Sequence, residues 1–146
     1  MILWNADLTK RLACSDKEKA ALPSIVGELL DMADKARIEG IKTLNGAVSQ
    51  EESPMLYYGF RMIAEGLSTE TLEEILAVYL STSTFSGFDF LKQCLYIEAL
   101  LGIASGDPRE LLLRKLAPYC GADKAFGLLN ALEPGSSANP RDENSQ

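Results

Sequence analysis

The stretch Phe88-Asp-Phe-Leu-Lys-Gln-Cys-Leu-Tyr-Ile-Glu-Ala-Leu-Leu-Gly-Ile-Ala-Ser105 decides the fold. Between Lys92 and Asp107 its one charge is Glu98. A helix that is apolar on nearly every side belongs at the centre of a bundle. Gly106 stops it, and Asp107-Pro-Arg-Glu110 reads as the start of another helix. There Asp107 is the expected cap, Pro108 takes the first position and Glu110 the third, close to a capping box. Leu112 and Leu116 should face inward, Pro118 should end that helix, and Asp123 should cap a last one running to Leu132. Residues 81–87, small and β-branched, read as the loop that leads into the central helix.

Upstream of that loop the punctuation is equally clear. Pro23 suits the first turn of a helix, where a missing N–H costs nothing. From there Ile25, Leu29, Met32 and Ala36 recur at helical spacing, and Gly40 and Gly46 weaken the continuation. Ser53-Pro54 pairs a capping hydroxyl with proline at the first helical position. Leu56, Phe60 and Ile63 form an inward face, which Gly66 closes as a left-handed cap. Ser68 opens the next helix, with Glu70 in its first turn. Its expected buried stripe is Leu72, Ile75, Leu76, Tyr79 and Leu80. No period-two alternation is long enough for a strand. The expected fold is therefore all-α, a compact bundle of five to seven helices without a sheet. The expected organisation is an N-terminal arm over residues 1–22, a helical domain over 23–132, and a disordered Pro-, Gly- and Ser-rich tail over 133–146.

Composition limits the function. A chain of 146 residues can bury ~70% of its unfolded surface. The net charge of −7 disfavours nucleic acid and anionic membranes, both of which need clustered Lys and Arg. There is no histidine, so the commonest general base and zinc ligand are missing. Cys14, Cys94 and Cys120 form no CxxC pair and are expected as free thiols in a reducing cytoplasm. Cys94 is expected in the core, with Cys14 and Cys120 exposed. Neither a signal peptide nor a membrane span of ~20 apolar residues is visible.

Three features could carry chemistry. Glu98, alone on an apolar helix, could act as an acid or base, or it could sit at a seam, hydrogen-bonded to a neighbouring helix. The thiols lack a histidine to activate them. Glu70, Glu73 and Glu74 lack the loop that a calcium site needs and read as a solvated helix face. Phosphate-loop, nucleophile-elbow and dinucleotide motifs are absent. The expectation is a non-enzyme that uses no metal and no cofactor.

Several stretches resemble cytoplasmic parts of MotA, the stator subunit of the bacterial flagellar motor. They are Asp31-Met-Ala-Asp-Lys-Ala-Arg-Ile-Glu-Gly40, Gly59-Phe-Arg-Met-Ile-Ala-Glu-Gly66, residues 70–80, and 94–109 continuing to Arg114-Lys-Leu116. Within the first, residues 33–40 are similar to the family's A-x-x-A-R-x-x-G helix. In the last, Ile97-Glu-Ala-Leu-Leu-Gly-Ile103, Gly106 and Pro108-Arg109 follow the family's order. The resemblance spans residues 22–119. It implies a protein partner among rotor or stator components, touched by Arg61 at the family's basic contact position and by Glu70 near the acidic one, with Glu73 and Glu74 beside it. In MotA two membrane helices separate the two halves, whereas here only residues 81–87 do. Proton conduction therefore does not carry over. What remains is a soluble, cytoplasmic, non-channel module acting by protein–protein interaction. Two alternatives stay open. One is a homo-oligomerisation domain using Trp4, Tyr57, Tyr58 and Phe85. The other is a small-molecule site around Glu98, lined by Tyr96 and Tyr119.

Overall fold

Several helices start where a serine side chain or a proline suits the first turn. In the computed structural model, which describes residues 10–132, Ser15 and Glu18 form a reciprocal capping box on the single turn α1 (Asp16–Lys19). Pro23 lies in the first turn of α2 (Leu22–Glu39). Ser53 Oγ accepts from the Leu56 N–H to open α3 (Pro54–Ala64). Ser68 Oγ accepts from Thr71 N–H to open α4 (Thr69–Ser81). The central helix is α5 (Gly87–Ser105), followed by α6 (Arg109–Leu116) and α7 (Ala122–Leu132). Short 3₁₀ turns at Ile41–Leu44 and Ala117–Cys120 complete the chain path. The fold is all-α, with seven α-helices and no strand among the described residues. Trp4 and the tail over 133–146 lie outside them.

Helices α3 and α5 end on glycines with positive φ. Gly66 (φ 89°) donates to Ile63 and Leu67 to Met62, while Gly106 (φ 75°) donates to Ile103 and Asp107 to Gly102. Both are Schellman closures, which only a residue free to turn left-handed makes without strain.

Helix α5 is the axis of the bundle. Helices α2, α3, α4 and α6 all pack against it. Its buried residues point in every direction: Phe90, Leu91, Cys94, Leu95, Ile97, Leu100, Leu101 and Ile103. Two glycines bring its neighbours close. A Cβ on Gly59 of α3 would lie 2.4 Å from Leu100 Cδ1, and one on Gly102 would lie 2.5 Å from Leu112 Cδ1 of α6. No helix among the described residues is long and apolar enough to cross a membrane.

Several local expectations need correction. On α2 the buried stripe is Val26, Leu29, Leu30, Ala33 and Ala36, with Ile25 and Met32 at its edges. The helix is covered by both α5 and α6, so the centre of its buried face shifts by one residue from the simplest spacing. Asp107 does not cap α6, whose N-cap is Pro108 without a side-chain hydrogen bond. Its carboxylate instead accepts from Lys115 Nζ at 2.6 Å. Asp123 lies inside the first turn of α7 rather than ahead of it. Cys120 is buried, because the 3₁₀ turn that carries it folds onto the core. Tyr79 is 54% exposed rather than part of the α4 seam. Helix α4 lies at the margin of the bundle, and the residues it buries are Leu72 and Leu76.

Candidate functional site

Beside Tyr79 the surface opens into a cleft of about 570 Å³. Three elements form it: the start of α3 (Met55, Tyr58), the end of α4 (Leu76, Tyr79), and the first turns of α5 (Asp89, Lys92, Gln93, Tyr96). Phe85, in the loop between α4 and α5, completes the wall. Tyr58, Tyr79 and Phe85 are 40%, 54% and 41% exposed, high values for rings that dominate burial energetics elsewhere.

Local bonds hold these rings in place. Tyr58 meets Tyr57 edge to face, with centroids 5.0 Å apart. Thr82 Oγ1 donates to the Val78 carbonyl at 2.8 Å and Ser83 Oγ to Leu80 at 2.8 Å, which tie the loop back onto α4. From the N-terminal arm, Arg11 donates to the carbonyls of Ser83 at 3.1 Å and Phe85 at 3.0 Å. Its guanidinium lies 4.0 Å from the centre of the Phe90 ring, a cation–π contact. Burial, and secondarily Glu28, raises the Tyr96 phenol, so it keeps its proton and remains a donor.

The residues that the sequence singled out lie elsewhere. Arg61 is exposed on α3 and donates to Tyr57 Oη at 3.5 Å; that hydrogen bond raises the guanidinium pKa further. It borders a separate hollow of about 350 Å³ with Lys42, Asn45, Tyr57 and Glu65. Glu70 and Glu74 are exposed and Glu73 is half-buried, all on α4. None of these four residues lines the aromatic cleft. Among the described residues, no ion pair joins Arg61 to Glu70, Glu73 or Glu74.

Glu98 is half-buried and accepts from Tyr119 Oη at 3.2 Å. This is the seam arrangement, a carboxylate held by a neighbouring element. Tyr119 is raised by burial and then by the negative charge of Glu98, so it stays a phenol. Tyr96 lines the aromatic cleft, whereas Glu98 and Tyr119 do not. All three cysteines are free thiols. Burial pushes Cys94 up to about 12 and Cys120 up to about 11, and it also raises Cys14. At neutral pH these sulfurs are protonated and poorly nucleophilic. No cluster of three or more metal-ligating side chains occurs among the described residues.

The opposite end of α5 is closed by charge. Asp34 of α2 bridges Arg37 at 2.7 Å and Arg109 of α6, and Arg109 also reaches Asp31 at 3.3 Å. Asp31, Asp34, Arg37 and Arg109 of the 31–40 and 106–109 stretches are thus paired with one another.

The sequence identified Tyr58 and Phe85 as surface aromatics but not the cleft they share with Tyr79, Tyr96 and Asp89. The available signal was the density of aromatic side chains flanking the polar loop at 81–87. No family model, curated protein or solved structure matches this chain.

Proposed function

We propose that the protein is a cytoplasmic, non-catalytic helical module that acts by binding another protein, and that the aromatic cleft is its contact surface. One observation carries this reading: three aromatic rings, Tyr58, Tyr79 and Phe85, stay exposed around a single depression, whereas the other exposed large apolar residues, such as Ile38 and Phe126, line no part of it. Grouped apolar surface of this kind marks sites of interaction, and tyrosine supplies contact area at little entropic cost.

The resemblance to MotA makes a flagellar rotor or stator component the first partner to test. In that version Arg61, together with Glu70, Glu73 and Glu74, contributes a second, charged contact. Arg61, Glu70 and Glu74 are solvent-facing, Glu73 is half-buried, and no ion pair joins Arg61 to any of the three acids. Affinity purification of the intact chain from its native cell tests both parts. Recovery of motor proteins that is lost on Arg61→Glu supports the motor link. Recovery of other proteins that is lost on Tyr79→Ser supports the module without the motor. Empty eluates under mild conditions count against both.

Self-association is the second reading, favoured by the same exposed rings Tyr58 and Phe85. Light scattering over a wide concentration range separates the two, since a strict monomer removes it.

A further inference from the structure

We propose that the cleft is built for a basic side chain, so that the partner presents an arginine or lysine among apolar residues. This rests on the interaction reading above and adds the chemistry of the contact. The wall combines four aromatic rings (Tyr58, Tyr79, Phe85 and Tyr96) with two carboxylates, Glu52 and Asp89. The faces of aromatic rings attract cations, more strongly where water is excluded. Among the described residues, Asp89 makes no ion pair with any cation. Lys92, the cation in the wall, has its Nζ 5.6 Å from the centre of the Phe88 ring. Two carboxylates against one ammonium leave the cleft negative, on a chain that carries −7 overall.

The alternatives are disfavoured by charge. An acidic segment would meet Glu52 and Asp89 at reduced dielectric. A wholly apolar segment would cover Asp89 without giving it a partner. An arginine or lysine satisfies both the rings and the carboxylate.

The molecule already contains such a contact one residue layer away. Arg11 stacks on Phe90 and donates to the Ser83 and Phe85 carbonyls, so the loop that walls the cleft grips a guanidinium on its other side. A volume of about 570 Å³ accommodates an arginine together with an apolar neighbour.

The test uses two probes that differ only in charge, N-benzoyl-arginine amide and N-benzoyl-citrulline amide. They are titrated into the full chain and followed by NMR of the tyrosine rings. The expected result is that the arginine probe shifts Tyr79 and Tyr96 and binds about five-fold tighter or better than its citrulline analogue, the ratio that one cation–π contact supplies. Asp89→Asn combined with Glu52→Gln should weaken the arginine probe and narrow its advantage over citrulline to the part that the rings supply. Both positions are exposed, and an unchanged circular dichroism spectrum checks that the fold is intact. Equal affinities in the wild type, or no shift at Tyr79 and Tyr96, overturn the inference. Because no protein partner enters this experiment, its failure is distinct from empty eluates in the purification.

Discussion

The two ends of α5 are made from similar residues and finish differently. Toward its C-terminus the helix is enclosed. Gly102 admits Leu112 of α6, Leu100 packs on Gly59 of α3, and the Asp34–Arg109 pair fastens α2 to α6 alongside. Toward its N-terminus Tyr96, Lys92 and Asp89 face the cleft beside the half-exposed rings of Tyr58 and Tyr79. An apolar helix is therefore not uniformly a core helix. Its neighbours decide which faces become interior and which become surface, and here α3 and α4 leave one face of the first turns uncovered. The closed end serves stability and, on the proposed reading, the open end is left for contact, a division that mutation can test.

The largest effect should come from the closed end. Leu100→Ala removes a fully buried side chain and should cost about 3 kcal/mol, read as a lower urea midpoint with an unchanged slope. Alkaline pH should weaken the same core. Cys94 rises from 9.0 to about 12 on folding, so above pH 9 the unfolded chain sheds a proton that the folded one keeps. Its contribution is fully present below pH 9 and is lost as pH climbs toward 12. The loss is on the order of 2 kcal/mol by about pH 11. Tyr119 shifts in the same direction. Cys94→Ala should flatten part of the decline in a pH series of denaturation curves.

Arg109→Ala should cost about 1 kcal/mol by the same assay. The side chains of Arg109 and Asp34 are 25% and 26% exposed, so solvent screens much of their attraction, and high salt should shrink the difference. At the open end, Tyr79→Ser should change stability by no more than ~0.5 kcal/mol while reducing partner recovery. A large stability loss there would mean that Tyr79 belongs to the core after all and would erase the contrast between the two ends.

What the sequence revealed follows the range of the interactions involved. Ser53-Pro54, Ser68, Gly66 and Gly106 act within one turn of themselves, and each starts or ends a helix as its chemistry dictates. The centrality of α5 was legible because a lone Glu98 in an apolar run leaves no solvent face. Tyr79 was misplaced because periodicity reports which face a residue shares, not how many elements cover that face. Cys120 was misplaced because a turn after Pro118 looks like surface until the chain is seen folding back. Asp107 had the right spacing for a cap, but Lys115, one helix length ahead, captured its carboxylate. The ion pairs between α2 and α6 span 75 and 78 residues of sequence and leave no local trace. For the site, the aromatics Tyr58 and Phe85 were visible singly. Their convergence with Tyr96 and Asp89 depends on how α3, α4 and α5 cross, which no local pattern encodes.

The grip of Arg11 on Ser83 and Phe85 carries a practical corollary. Arg11 braces a loop more than seventy positions away, so its loss would alter the proposed ligand capture without touching the cleft itself. An affinity handle for capture experiments therefore belongs away from Arg11. A proteolytic fragment that has lost Arg11 should be scored as a distinct species, with a slackened rim and a weaker hold on whatever it captures.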